Sequence, residues 1–239
     1  MPIIEEPGII KINTGKHEWV FDDAEGGIAR GPNWMGQLSG DGHGIYDLME
    51  IPMRPGSFYG PPVVTSAAKA CTANTIYYVP LVLWKGFDFD AYYTDLFQVI
   101  VTCGKIGGRA RIGIYDNFGL YAGGGAQPGE LFLDAGEIVT SSSGAKSLAI
   151  DPYPLIKGLM WIAIHNKVQS TTYAGYTVLD QSILGVSVVG NSIKPITGYT
   201  EPRAYADGLP EVATATTSIS GMPYPVLKLF PRDWIYAEE

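Results

Sequence analysis

Turn residues cut this chain into short segments, and this is the feature that most restricts its fold. The 239 residues include 30 glycines and 17 prolines, well above the usual combined share of about 12%. Turn signals recur about every eight to twelve residues, and no 3.6-residue periodicity lasts longer than about two turns. The pattern predicts an all-β chain folded as an antiparallel β-sandwich or barrel, and we expect the sandwich.

Alternation is clearest in residues 109–116, where Ile112 and Ile114 fall on one side of an extended chain and Gly113 and Tyr115 on the other. Glycine weakens a strand interior, so Gly113 predicts that a backbone or a large ring lies close to that face. Further strands are predicted over residues 63–65, 76–84, 96–103, 131–133, 137–140, 146–150, 159–164, 175–179, 183–189, 211–216 and 226–230.

Four local features carry additional information. Residues 159–164 are apolar on both faces, which places them in the middle of the sandwich. Pro80 cannot donate to a ladder and therefore predicts an edge or a bulge. Pro152 and Pro154 are expected to break the chain before residue 159. Residues 86–96 could form one helical turn, with Phe87, Ala91 and Asp95 on one side.

The chain divides into three parts. Residues 1–60 contain glycine and proline without a period, which predicts an irregular N-terminal arm. Disordered tails are poor in aromatic residues, whereas this arm contains Trp19, Phe21, Trp34, Tyr46, Phe58 and Tyr59. We expect it to become ordered by docking on its own core, on a sister subunit or on a larger assembly. Residues 61–230 form the sandwich, and residues 231–239 form a tail.

The net charge and the sequence pattern argue against several classes of partner. The formal net charge is -8 and no basic run is present, which argues against binding to a nucleic-acid backbone. No apolar stretch approaches the length of about 18 residues that predicts a membrane span. No signal-peptide pattern opens the chain, so we expect synthesis in the cytosol, where Cys71 and Cys103 stay reduced. The sequence leaves their pairing open.

No catalytic or metal-binding pattern is present. Residues 36–40 and 218–221 do not match the nucleophile elbow of a serine hydrolase. His165 ends an apolar strand and is expected to be a packed or rim residue. Asp41 and His43 lack the spacing of a metal site, and the glycines of residues 104–108 lack the ending of a phosphate loop. The sequence therefore predicts no enzyme activity and no cofactor.

Carboxylates for a glycosidase pair are available at Asp88, Asp90, Asp116, Glu130 and Asp134. Asp88 and Asp90 would share one face of a strand, an arrangement that is more typical of a solvated edge. The enzyme interpretation is therefore the weakest of those considered.

Four segments in succession carry a family resemblance: RIGIYD at 111–116, PGELFLDAG at 128–136, SSSGAK at 141–146 and LMWIA at 159–163. This succession resembles β-sandwich modules of virion proteins from tailed bacteriophages, in head fibres, tail fibres and receptor-binding proteins. The resemblance covers residues 75–230. It implies a jelly-roll sandwich in a non-enzymatic structural protein, made in the host cytoplasm and located in the virion.

The resemblance also implies partners: other virion proteins, sister subunits in a homo-oligomer, and contact with the host surface. A carbohydrate-binding module or adhesin is the alternative. Its candidate ligand residues lie on the longest loop, where Phe118 and Tyr121 would stack on a glycan and Asp116 and Asn117 would bind hydroxyls. Further loop tyrosines either serve the same purpose or cover strand ends and interfaces: Tyr173, Tyr176, Tyr199, Tyr205 and Tyr224.

Overall fold

The computed structural model describes residues 3–6, 9–13, 18–22, 28–30, 56–61, 67–83, 92–117, 126–155, 158–177, 184, 186–189, 191–218 and 221–231. The chain forms two compact units, one of residues 1–52 and 84–87 and the other of residues 53–83 and 88–239. The predicted strand at 63–65 and the loop residues Phe118 and Tyr121 lie outside the described residues.

The first unit contains a four-stranded antiparallel sheet. Its strands are β1 (Ile3–Glu6), β2 (Ile9–Asn13), β3 (Glu18–Asp22) and β4 (Ile28–Arg30), and each pairs with the next along the chain. The sequence predicts an irregular arm here, so these strands are a difference from the prediction. They are short and separated by turn residues, which hides their alternation.

The second unit is an antiparallel β-sandwich. Its strands are β5 (Ser57–Tyr59), β6 (Ala67–Cys71), β7 (Thr75–Leu83), β8 (Tyr92–Cys103), β9 (Arg109–Asn117), β10 (Pro128–Val139), β11 (Gly144–Leu155), β12 (Gly158–Asn166), β13 (Thr171–Tyr176), β14 (Val186–Val189), β15 (Ser192–Pro195), β16 (Gly198–Pro202), β17 (Thr216–Ser218), β18 (Met222–Pro223) and β19 (Pro225–Pro231). A 3-10 turn spans Tyr205–Asp207. The predicted all-β sandwich is confirmed.

One sheet has six strands in the order β10-β9-β12-β7-β16-β17. The other has seven: the path β18-β13-β8-β19-β5, with β11 on β8 and β6 on β13. β14 and β15 form a separate hairpin. β5 pairs with β19, so the sandwich begins before residue 61, where the sequence placed its boundary.

Strands β6 to β13 alternate between the two sheets, except that β9 and β10 follow one another in the same sheet. β6, β8, β11 and β13 lie in the seven-stranded sheet, where they pair in the order β6-β13-β8-β11. β7, β9, β10 and β12 lie in the six-stranded sheet and pair in the order β7-β12-β9-β10. Most of the connections between successive strands therefore cross from one layer to the other.

The main core lies between the sheets. Phe97, Val99 and Val101 of β8 face Ile112 and Ile114 of β9, and all five are almost fully buried. These are the residues that alternation assigns to the inner faces of the two strands. The predicted strands at 96–103 and 109–116 are therefore confirmed, with β8 beginning four residues earlier.

A second apolar cluster covers the outer face of the six-stranded sheet. It consists of Ile76, Tyr78, Tyr115, Trp161, Ala163 and Tyr199, with Leu209, Ala213 and Ala215 packed against it. β12 contributes Ile162 and Ile164 to the main core and Trp161 and Ala163 to this outer cluster. Burial on both faces of β12 confirms its predicted central position.

Glycine at position 113 is explained by the outer cluster. A Cβ atom built there would lie 2.4 Å from Leu209 Cδ1 and 2.9 Å from the carbonyl oxygen of Leu133. The predicted close approach is thus made by a backbone group and a leucine side chain. Pro80 is predicted to lie at an edge or a bulge, and it lies at a local edge. β7 pairs with β12 along its whole length, but with β16 only from Thr75 to Tyr78.

Three predictions about elements are wrong. Pro152 and Pro154 do not end a strand, because β11 continues through them with a register shift between Ala149 and Tyr153. Among the strands that the structure describes, β11 pairs only with β8, and proline is tolerated at such an edge. The strands predicted at 131–133 and 137–140 form the single strand β10.

The possible helical turn at residues 86–96 is excluded for residues 92–96, which belong to β8, and residues 86–91 lie outside the described residues. The third error concerns residues 211–216. The segment 211–216 has only an isolated bridge, at Val212, before β17 begins. Its side chains Ala213 and Ala215 pack on the outer cluster instead. Within the described residues, no helix has the length and apolar character needed to cross a membrane.

Candidate functional site

The predicted ligand residues Asp116 and Asn117 end strand β9, where they are half-buried. Asp116 Oδ1 accepts a hydrogen bond of 2.6 Å from the backbone N–H of Glu130. Asn117 Oδ1 accepts bonds from the backbone N–H of Gln127 at 3.1 Å and from Trp161 Nε1 at 3.2 Å. These oxygens therefore anchor the connection between β9 and β10.

A different site is formed by an open pocket of about 500 Å³. It lies over the edge of the six-stranded sheet where β9, β10 and β12 come together. Its lining residues are Asn74, Arg111, Glu137, Lys167, Ala204, Tyr205 and Ala206. The volume falls within the range of about 300–1,000 Å³ that is usual for small-molecule sites.

Strand register produces the polar side of this pocket. Arg111 of β9 is the cross-strand partner of Glu137 of β10 and of His165 of β12. Cross-strand partners project to the same face of a sheet. The same row continues through the partners on β7 and β16, so that five strands contribute Glu137, Arg111, His165, Ile76 and Glu201.

The opposite side of the pocket is the 3-10 turn at Tyr205, which is held rigidly. Asn74 accepts hydrogen bonds from Arg203 N at its carbonyl oxygen, 2.9 Å, and from Tyr205 N at its Oδ1, 3.1 Å. Arg203 Nε donates to the carbonyl oxygen of Gly208 at 3.0 Å. Asn74 has a φ of 52°, in the left-handed region that asparagine tolerates better than most residues.

The positive charge of Arg111 is only weakly compensated by the neighbouring carboxylates. Its guanidinium nitrogens lie 3.6 Å from Asp134 Oδ2 and 3.8 Å from Glu137 Oε1, too far for hydrogen bonds. Its Nε is buried without a partner in the described part of the chain. Arg109 Nη1, by contrast, donates to Glu137 Oε2 at 3.2 Å. Glu137 therefore interacts more closely with Arg109 than with Arg111.

The pKa values of the pocket residues follow from these contacts. Burial raises the pKa of Glu137, but the hydrogen bond from Arg109 and the charges of Arg111 and Arg109 together hold it below the usual value. Burial and the Glu137 carboxylate raise the pKa of Tyr205. At neutral pH the pocket thus presents an ionised carboxylate and a protonated phenol.

His165 is fully buried beneath this pocket, which confirms that it is a packed residue. Burial lowers its pKa, more than the hydrogen bond to Arg203 raises it. Its Nε2 lies 3.0 Å from the carbonyl oxygen of Arg203, which can only accept, so Nε2 carries the proton of the neutral ring. The ring packs against Tyr205 with centroids 5.0 Å apart.

Most of the loop tyrosines have structural positions. Tyr173, Tyr176 and Tyr199 are buried, and the hydroxyls of Tyr176 and Tyr199 donate to backbone carbonyl oxygens at 2.7 Å. Tyr205 alone among the five lines the pocket. In the sequence, Tyr205 differs from the other four tyrosines only in having polar turn residues beside it. This difference is a weak indication of a binding site.

The two cysteines are free. Cys71 is buried and Cys103 is exposed, and burial raises the pKa of the Cys71 thiol to about 12. Cys71 is therefore protonated and unreactive as a nucleophile. Among the residues that the structure describes, no group of three His, Cys, Asp or Glu side chains is arranged to hold a metal ion.

Comparison with known proteins does not assign the chain to a family. No protein-family model matches the chain, and no curated protein matches its sequence. The fold and the pocket are therefore the observations from which function is inferred.

Proposed function

We propose that this protein is a non-enzymatic structural protein of a tailed-phage virion, built on a jelly-roll sandwich. The observation that carries the proposal is the pairing of eight successive strands as β6-β13-β8-β11 and β7-β12-β9-β10. Double-sheet jelly rolls with eight strands are the architecture of many viral capsid and lectin domains. In the virion, such a module would decorate the head or tail, or form part of a fibre or an adaptor.

An uncharged surface supports a role in assembly. It consists of ten residues on the outer face of the seven-stranded sheet, in the part formed by β6, β8, β11 and β13, and we call it the flat face. Lys228 of β19 and Asp95 lie farther along the same sheet, where they form an ion pair of 3.5 Å. The ten residues of the flat face carry no charge: Ala68, Ala70, Gln98, Ile100, Thr102, Ala145, Ser147, Ala149, Thr172 and Ala174. Surfaces of soluble domains ordinarily contain about 25–35% charged residues.

We infer that a second copy of the chain packs on the flat face. Two chains that each carry a net charge of -8 repel one another, and the repulsion between the contact surfaces is smallest where neither is charged. Association there would make the protein a homo-oligomer of the kind expected for a virion component.

Mass spectrometry of purified particles tests the virion assignment. Phage particles banded in a density gradient should contain peptides of this chain in constant ratio to the major head or tail protein. The matched control is the particle-free fraction of the same lysate. Peptides confined to that fraction would contradict the proposal, whatever the chain binds.

A carbohydrate-binding module is the second candidate, and the Tyr205 pocket is the observation in its favour. Loops that a sandwich holds at its periphery are where such proteins place their ligand contacts. The pocket provides an aromatic ring, a carboxylate, an amide and two cations. In a virion protein the same pocket would serve contact with a host-surface glycan.

A further inference from the structure

We propose that the Tyr205 pocket binds the carboxylate-bearing residue of an acidic saccharide, with Arg111 and Lys167 as the ligands of its carboxylate. This inference rests on the host-contact part of the proposed function and names the class of glycan and the residues. The pocket is separate from the loop residues Asp116 and Asn117, whose Oδ1 atoms already accept hydrogen bonds from the chain.

Unused donors point to an anion. Arg111 can donate five hydrogen bonds, yet within the described residues its nitrogens make only ion pairs of 3.6 and 3.8 Å. Lys167 is exposed and has no ion-pair partner in the described part of the chain, and its Nζ lies 5.6 Å from the centroid of the Tyr205 ring. Arg111 and Lys167 both line the pocket.

The local charge favours a ligand with a single negative charge. Among the residues that line the pocket, Arg111 and Lys167 are cations and Glu137 is the one carboxylate. This excess of one positive charge occurs in a chain whose net charge is -8. Guanidinium and carboxylate groups match in geometry and form charge-assisted hydrogen bonds.

The remaining groups favour a sugar over a simple anion. Glu137 is ionised and can accept hydrogen bonds from hydroxyl groups, and Asn74 and the partly exposed Tyr205 complete the wall. A volume of about 500 Å³ is much larger than one inorganic anion requires. A rigid turn holds Tyr205 and Asn74 in place before the ligand arrives, which lowers the entropic cost of binding.

Titration of the full chain with glucuronic acid, glucose and inorganic phosphate tests the inference. We expect glucuronic acid to bind at least about tenfold more tightly than either glucose or phosphate, since only it meets both the cations and the hydroxyl partners. Nuclear magnetic resonance of ¹⁵N-labelled protein should place the shifts at residues 74, 111, 137, 167 and 205. Equal affinity for phosphate would reduce the pocket to a simple anion site and overturn the inference.

Variants separate specific binding from general charge attraction. Lys167→Met keeps a long apolar side chain over Tyr205 and should weaken glucuronic acid binding about tenfold. Lys194→Met removes an exposed lysine that does not line the pocket and should leave the affinity unchanged. Equal effects of the two substitutions would contradict the assignment, and so would tight binding that Lys167→Met does not alter. Either result would leave the presence of the chain in virions untouched.

Discussion

At the scale of single residues, the close approach at Gly113 ties the six-stranded sheet to the segment that crosses its outer face. Leu209 belongs to that segment and lies where a side chain at position 113 would begin. A glycine that is unfavourable for an isolated strand is therefore favourable here, because it admits a leucine into the outer cluster.

Gly113→Ala should destabilise the protein by about 1–3 kcal/mol, since the new methyl group meets both the Leu209 side chain and the Leu133 carbonyl oxygen and cannot be accommodated without a shift. Chemical denaturation at constant pH measures the loss. Ala145→Ser, on an exposed strand position, is the control and should change stability by less than about 0.5 kcal/mol.

The double variant Gly113→Ala/Leu209→Ala identifies the cause. Removing the leucine side chain vacates the space that the new methyl group needs, so the combined loss should be smaller than the sum of the two single losses. Strict additivity would show that the Leu133 carbonyl, rather than Leu209, limits the space at position 113.

At the scale of elements, β16 and the segment that follows it hold the outer cluster closed. Glu201 is buried, and its Oε2 accepts hydrogen bonds from the Tyr78 hydroxyl at 2.8 Å and from Thr214 N at 2.9 Å. One carboxylate thus joins β7, β16 and the segment before β17. Burial, Tyr115 and Glu201 raise the pKa of Tyr78, so this hydroxyl remains a donor at any physiological pH.

Tyr78→Phe should cost about 1.5–3 kcal/mol of unfolding free energy, because it leaves a buried carboxylate with one partner fewer. Tyr199→Phe is the matched control in the same cluster. Its hydroxyl donates to the neutral carbonyl oxygen of Ala126 at 2.7 Å, so its loss should cost about 1 kcal/mol. Thermal denaturation measures both losses. If the two variants lose equal unfolding free energy, the hydrogen bond to the Glu201 carboxylate is no stronger than one to a neutral carbonyl oxygen.

Strand alternation is a local property, and the sequence therefore predicts β8, β9 and β12 with their correct faces. β10 is missed as one strand because its register shifts between Asp134 and Gly136, where a glycine suggests an end. The prolines of β11 mislead for a similar reason: whether a proline breaks a strand depends on which edge is paired, and pairing is not a local property.

The Tyr205 pocket is not predictable from the sequence. Arg111, Glu137 and His165 come from three strands, and only the pairing register places them side by side. The residues predicted from loop composition, Asp116 and Asn117, have the expected chemistry but use it within the chain. Composition indicates which side chains could bind a ligand, whereas register determines which of them are free to do so.

At the scale of the whole molecule, the sandwich leaves its two sheets unequally covered. The six-stranded sheet is covered by its own chain, through Leu209, Ala213 and Ala215. The flat face of the other sheet exposes half of the Ile100 side chain. Two edge strands carry bulges, three in the pairing of β10 with β9 and one in that of β11 with β8, which discourage edge-to-edge association at these strands. We therefore expect association through the flat face.

Ile100→Lys should therefore dissociate the oligomer, raising its dissociation constant at least about tenfold, because it places two like charges and their hydration in one interface. Light scattering over a concentration series measures the change against the 25.8 kDa monomer. The substitution lowers the magnitude of the net charge, so general repulsion cannot account for dissociation. Val139→Lys makes the same change at an equally exposed position, 56% against 50%, on β10 and should leave the oligomer intact. Dissociation by both variants, or by neither, would show that the copies do not meet on the flat face.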